Sequence, residues 1–290
     1  MKIPQGGIAF FDSGIGGLTV MNACQRILPN EIFYYYGDNV HAPYGNLPPK
    51  RIRRFVFSAF RKLRRLRVKA VVLACNTATA VCINELRKKY SFPIIGTEPA
   101  VFPAAKQGGE VWVLSTRATY NNIRFKELCA RAERYYPQSK IRGVPCDGLA
   151  GAIEKHIEEE GYDYTSYLPK GAPSSIVLGC THYPYIAKQI KEFYHCPVYD
   201  GSDGIAKHLR KMVSEGTKLD KKASMGQKTA ILLGRLTTSL FFDKKALVFR
   251  RKSKKKQKRK KLSKNLFFLG KQRDLNERIY ERMFAFIQSG

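Results

Sequence analysis

The sequence predicts an α/β fold: two pseudo-symmetric lobes of mostly parallel sheet flanked by helices, with the active site at the lobe interface. Three observations carry this expectation. Short apolar runs alternate with amphipathic stretches, a glycine-rich turn follows the first run, and one strand-end pattern occurs twice, 105 residues apart.

Ile8 to Phe11 is a short apolar run ending in Asp12, followed by Ser13-Gly14-Ile15-Gly16-Gly17 and a helical stretch from Leu18. Strand, glycine turn and helix in that order open a βα unit. Glu31 to Tyr36 reads as a second strand ending at Gly37-Asp38, and residues 39 to 48 as a loop. Pro48-Pro49 then opens an amphipathic helix, with Ile52, Phe55, Val56, Ala59, Phe60, Leu63 and Leu66 at helical spacing. Ala70 to Ala74 is continuously apolar, as in a strand buried on both faces, and Cys75 follows its C-terminal end.

A helix near 78 to 90 and a strand from Pro93 to Gly96 come next. Further strands are expected at Val111 to Leu114, 140 to 144, Ser175 to Leu178 and Val198 to Tyr199. Helices are expected near 121 to 133, 148 to 160 and 184 to 194. The echo pairs Val71-Val72-Leu73-Ala74-Cys75-Asn76-Thr77 with Ile176-Val177-Leu178-Gly179-Cys180-Thr181-His182. Matching strand ends in two half-domains would account for it. The expected lobes are 1–97 with 208–290, and 98–207.

The last quarter differs in character. An apolar run from Ile231 to Leu236 sits between basic stretches, and 244–264 reads as a basic, flexible insertion. Asp274-Leu275-Asn276-Glu277 resembles a capping box, and Leu275, Ile279, Met283 and Ile287 form a stripe suited to packing on a core.

Composition narrows the function classes. The 290 residues are 44% hydrophobic, enough to bury a sizeable core, which excludes wholesale disorder. No apolar run approaches the roughly 18 residues of a bilayer span, and the N-terminus lacks a secretory h-region. Seven cysteines without scaffold spacing point to free thiols and a cytoplasmic setting.

The net charge of +29 invites a nucleic-acid reading, but 13 Lys/Arg fall within 244–264 and 10 within 50–69, both acid-free. The charge is therefore local. A solvated face is the favoured reading of 50–69, while the block in 244–264 suits a nonspecific anionic partner.

Ligands in open α/β sheets bind beyond the C-terminal ends of strands, which here carry Asp12-Ser13, Gly37-Asp38, Cys75-Asn76-Thr77, Thr116 to Thr119 and Cys180-Thr181-His182. Two cysteines facing each other across a cleft suit inversion of a stereocentre, which removes a proton from one face and delivers one to the other. A helix N-terminus next to a thiol is expected to lower its pKa modestly. His182, two residues after Cys180, points to the same side if the backbone is extended.

Cys24, Cys82, Cys129, Cys146 and Cys196 lack such context and read as structural. No cysteine pair has zinc-site spacing. A dinucleotide loop at Gly14-Ile15-Gly16-Gly17 fails because position 19 is Thr19; the glycines read instead as close approach to a small anion.

Phe10-Phe11-Asp12-Ser13-Gly14-Ile15-Gly16-Gly17-Leu18-Thr19, Tyr36-Gly37-Asp38, Pro43-Tyr44-Gly45, Ala74-Cys75-Asn76-Thr77-Ala78-Thr79 and Gly179-Cys180-Thr181-His182-Tyr183-Pro184 closely resemble the glutamate racemase family. The resemblance covers most of 7–210, and the stretch from about 265 is similar to that family's closing helix.

It implies cofactor-independent and metal-free interconversion of L- and D-glutamate, supplying D-glutamate for peptidoglycan, typically by a homodimer. By the resemblance, Cys75 takes the Cα proton from the D-isomer and Cys180 from the L-isomer, assisted by Asp12 and His182 respectively. Ser13, Tyr44, Gly45, Asn76, Thr77, Thr119 and Thr181 then hold the substrate, together with Asp12 and His182. Glu154 matches a family glutamate near the second cysteine, but the prolines and valines usual around it are absent, so no role is assigned. An aspartate-specific relative and a racemase-like binding module are the rival readings.

Overall fold

The computed structural model describes residues 6–216 and 229–234. Two parallel sheets form the frame. The first contains β1 (Ile8–Asp12), β2 (Ile32–Gly37), β3 (Ala70–Leu73), β4 (Ile94–Gly96) and β9 (Thr229–Gly234), in the order β4-β3-β1-β2-β9. The second contains β5 (Gly109–Ser115), β6 (Ser139–Pro145), β7 (Ser175–Leu178) and β8 (Val198–Tyr199), in the order β6-β5-β7-β8. Every strand pairing is parallel. Helices therefore cover both faces of each sheet, and strands such as Ile8–Asp12 and Ala70–Leu73 are apolar and buried throughout.

In the first lobe, α1 (Gly17–Ile27) and α9 (Ser202–Gly216) lie on one face of the sheet. There Leu18 and Met21 pack with Phe10, Val72, Ile205 and Leu209. α2 (Pro49–Arg65) and α3 (Asn76–Lys89) cover the other face. Pro49 starts α2 because its fixed φ suits the first turn and its missing N–H would have had no partner there. The stripe Ile52, Val56, Ala59, Phe60 and Leu63 is buried as its spacing predicts, with Phe60 ring-packed on Phe11 at 6.2 Å and Tyr90 at 5.5 Å.

The second lobe carries α4 (Val101–Ala105), α5 (Arg117–Tyr120), α6 (Ile123–Tyr135), α7 (Leu149–His156) and α8 (Ala187–Tyr194). The helix expected over 121–133 is α6, and the short helix α5 precedes it as a separate element. Thr116 caps α5 by accepting from the Thr119 amide at 3.3 Å, and Asn122 caps α6 by accepting from the Arg124 amide at 2.9 Å. Two capping side chains in seven residues offer the backbone alternatives to one continuous helix. The helix expected over 184–194 begins as a 3-10 turn, Tyr183–Ile186, with Pro184 in its first turn.

Four helices and strands were not foreseen: α4, α5, α9 and β9. The run from Ile231 is a parallel strand beside β2, with Tyr34 opposite Ile231. The basic insertion 244–264, the 274–277 capping box and the stripe from Leu275 to Ile287 lie outside the described residues.

Replacing Phe60 with Ala removes the ring that Phe11 and Tyr90 share, and urea unfolding should register a loss of about 3–5 kcal/mol. A loss under about 1 kcal/mol would mean that this aromatic layer is not part of the cooperative core.

Candidate active site

The C-terminal ends of the two sheets face one another, and the strand-end residues meet between the lobes. Asp12 ends β1 with no solvent exposure. Its Oδ1 accepts from the Gly14 amide at 2.8 Å, while its Oδ2 accepts from the Thr181 hydroxyl of the opposite lobe at 3.1 Å. Thr77, in the first turn of α3, shares hydrogen bonds with Thr116 at 2.9 Å and Thr119 at 3.2 Å, again across the lobes. The Tyr185 hydroxyl donates to the Ile15 carbonyl at 3.2 Å.

Glycine makes this closeness possible. A Cβ on Gly16 would stand 2.5 Å from Thr181 Oγ1 and 2.8 Å from His182 Nδ1, and one on Gly14 would stand 2.7 Å from Glu154 Oε2. A Cβ on Gly45 would meet Thr116 at 2.8 Å. The close approach expected at the glycine turn is thus made by the second lobe itself, because main chain without side chains lets the two strand-end turns nest.

Cys75 caps α3, its sulfur accepting from the Ala78 amide at 3.4 Å and lying 3.6 Å from Ser13 Oγ. These contacts favour the thiolate, yet burial and the nearby Asp12 charge outweigh them and push the Cys75 thiol up to about 12. The lowering expected from the helix N-terminus is therefore overturned in this closed arrangement, and Cys75 keeps its proton. Burial also raises Asp12, against the pull of His182 and the bonds from Gly14 and Thr181.

Cys180 follows β7, with its sulfur 3.8 Å from His182 Nδ1. The two side chains do converge, but not through extended backbone. His182 is helical, at φ −80 and ψ −30, because it leads into the 3-10 turn that Pro184 starts. On its other side His182 Nε2 bonds Glu154, a residue on α7. Burial alone would disfavour a charged imidazole, but Glu154 and Cys180 raise it well above the ordinary value. Glu154, left without a role from sequence, is thus the partner of His182. The signal was its match to the family glutamate near the second cysteine, set aside because the usual flanking prolines and valines are absent.

Tyr44 is buried and its hydroxyl donates to Asp38 Oδ2 at 2.6 Å. Burial and the Asp38 carboxylate push that phenol far up, so it stays neutral. Thr116 was read only as part of a strand end, yet it ties Thr77 to Thr119. Asn76 Oδ1 is buried without a hydrogen-bond partner among the described residues. Burial also holds Cys24, Cys82, Cys129 and Cys146 up at about 12, as unreactive thiols. Among the described residues no cluster of three His, Cys, Asp or Glu side chains is placed to hold a metal ion, and no helix is long and apolar enough to cross a membrane.

The family model for Asp/Glu/Hydantoin racemase matches residues 18–209. The chain belongs to this racemase family. A glutamate racemase of Clostridium botulinum is 38% identical over 239 residues, covering 79% of this chain and 92% of the relative. Among solved structures, Escherichia coli glutamate racemase in complex with L-glutamate and the activator UDP-MurNAc-Ala superposes with a TM-score of 0.70 at 26% identity, covering 81% of this chain and 91% of that one. Francisella tularensis glutamate racemase in complex with D-glutamate gives 0.66 at 27%, covering 81% and 89%. The two-lobed α/β architecture of this racemase is thus the one expected.

Two predictions follow from the geometry. Gly16→Ala should cost about 1–3 kcal/mol in thermal or urea unfolding, because the new methyl must displace Thr181. In an NMR titration the imidazole of His182 should titrate well above pH 6.5, and in Glu154→Gln it should move down. Since the native value lies above the unfolded 6.5, the stabilisation from charged His182 is present in full below that pH and is lost as pH rises through the native value. An unchanged His182 titration in the variant would rule out Glu154 as the cause.

Proposed function

We propose that the chain interconverts L- and D-glutamate without a cofactor, one of Cys75 and Cys180 removing the Cα proton while the other delivers its own to the opposite face. The observation that carries this reading is the unequal setting of the two thiols, Cys75 beside the Asp12 carboxyl and Cys180 beside a charged His182. That asymmetry favours a proton on Cys75 and sets a cationic neighbour beside Cys180. One thiolate and one thiol on opposite faces of Cα are what inversion requires.

With L-glutamate, Cys180 removes the Cα proton and Cys75 delivers its own to the other face. With D-glutamate the two exchange roles. Asp12 and His182 then act as proton-handling neighbours of Cys75 and Cys180.

The hydroxyls and amides of Ser13, Asn76, Thr77, Thr119 and Thr181, with Tyr44 and Gly45, suit the two substrate carboxylates. The unpartnered Asn76 oxygen suits the ammonium. Entry of substrate requires the lobes to part, since Thr77, Thr116 and Thr119 now bond one another. Closure over the bound amino acid excludes water and strengthens every electrostatic contact around the carbanion.

The same reading includes a cytoplasmic homodimer that supplies D-glutamate for peptidoglycan. It divides the chain into lobes 1–97 with 208–290 and 98–207, and gives 244–264 a nonspecific anionic partner. Support for glutamate comes from the names of the relatives and from the L- and D-glutamate complexes of the structural neighbours.

Incubation with L-glutamate in deuterated water, with no added cofactor, should yield D-glutamate labelled at Cα. Cys75→Ser and Cys180→Ser should each lower racemisation about 1,000-fold or more, because each removes one face's acid-base group. Wild-type protein that neither racemises glutamate nor exchanges its α-proton would sink the proposal, and a higher kcat/KM for aspartate would move the specificity to that substrate.

A further inference from the structure

The arginine-rich helix α2 was read from sequence as a solvated face, and the racemase site makes no use of it. Arg51, Arg54, Ser58 and Arg61 recur at i, i+3, i+7 and i+10, which places them on one stripe about two and a half turns long. In the structure this stripe is one wall of a groove of about 580 Å³. His41, Phe55 and Phe57 complete the lining. The volume lies within the range of small-molecule sites, about 300–1,000 Å³.

None of the three arginines pairs with a carboxylate among the described residues, whereas Arg53, on a neighbouring stripe, bonds Glu85 at 2.7 Å. Like charges along one helix face repel by a few tenths of a kcal/mol per pair, so a shared counter-anion would relieve them. The aromatic wall adds a second feature. His41 stacks on Phe55 with centroids 3.7 Å apart, and the Arg51 guanidinium lies 5.9 Å from the Phe55 ring. The stack takes up one face of each ring, so the wall supplies low-dielectric surface beside the guanidiniums. Planar guanidiniums recognise phosphate oxygens in pairs of N–H bonds, so the stripe suits a multiply charged phosphate better than a single carboxylate.

We propose that the α2 groove is a binding site for a small anion bearing a di- or triphosphate, held by Arg51, Arg54 and Arg61. It is separate from the cysteine site yet adjoins it. His41 Nδ1 lies 3.0 Å from both Asp38 oxygens, and Asp38 Oδ2 receives the Tyr44 hydroxyl.

Calorimetry on the full chain tests this with inorganic pyrophosphate, adenosine diphosphate and adenosine as probes. Pyrophosphate and adenosine diphosphate should bind and adenosine should not. Arg54→Gln/Arg61→Gln should weaken both phosphates about tenfold or more, the loss expected for removing two phosphate contacts, while racemisation stays within about twofold. A control variant in the basic segment, Lys254→Gln/Lys255→Gln/Lys256→Gln, should change this affinity less than about threefold.

The opposite pattern, with the tail variant losing binding and the groove variant keeping it, would overturn the proposal. So would the absence of phosphate binding at about 1 mM. Sedimentation with phosphatidylserine vesicles separates the lipid source of the same chemistry. Groove-dependent vesicle binding without binding of the soluble phosphates would replace the small-molecule assignment with a membrane one.

Discussion

Two strand-end turns from different sheets meet at a distance that one methyl group would disrupt, and the rest of the site depends on that approach. Asp12 reaches Thr181 only because Gly14 and Gly16 present bare main chain to the second lobe. The same approach brings Thr77 against Thr116 and Thr119 and removes water from Asp12, Cys75 and His182. Burial raises Asp12 and Cys75 and opposes the charge on His182, which Glu154 and Cys180 more than restore, so the electrostatics follow from the steric fit.

Once buried, the titratable groups sort themselves by their neighbours. Around Cys75 the charged neighbour is a carboxyl, which opposes a second negative charge. Around Cys180 it is an imidazole that Glu154 keeps protonated. Two cysteines at equivalent strand ends thus acquire different characters from one residue on each side. A pseudo-symmetric fold can in this way set two side chains of the same chemical type in different electrostatic surroundings.

Much of this was legible in the sequence, because the signals were local. Parallel strands buried on both faces read as apolar runs, and the strand-end rule placed Asp12, Cys75 and Cys180 together before any coordinates. What escaped depended on contacts between distant segments. Glu154 gains its meaning only from His182, 28 residues on. The lowering expected at Cys75 treated the helix N-terminus alone, whereas burial and Asp12 decide the outcome. α9 was missed because Asp200-Gly201-Ser202-Asp203-Gly204 reads as a turn, although Ile205, Leu209, Met212 and Val213 behind it keep helical spacing. The short helix α5 was missed because Thr116 to Thr119 read as a strand end, although Thr116 and Asn122 are the capping residues that start α5 and α6.

The order of the strands also bears on how the protein is made. β9 pairs with β2, and α9 packs on α1, yet both follow the whole second lobe in the chain. As the polypeptide leaves the ribosome, the first four strands emerge with β2 an open edge and one face of α1 uncovered. The second lobe, continuous from β5 to β8, can close its own core during that interval. The first lobe is thus begun first and finished last, and for more than a hundred residues of synthesis its exposed edge is a place where another nascent chain can pair.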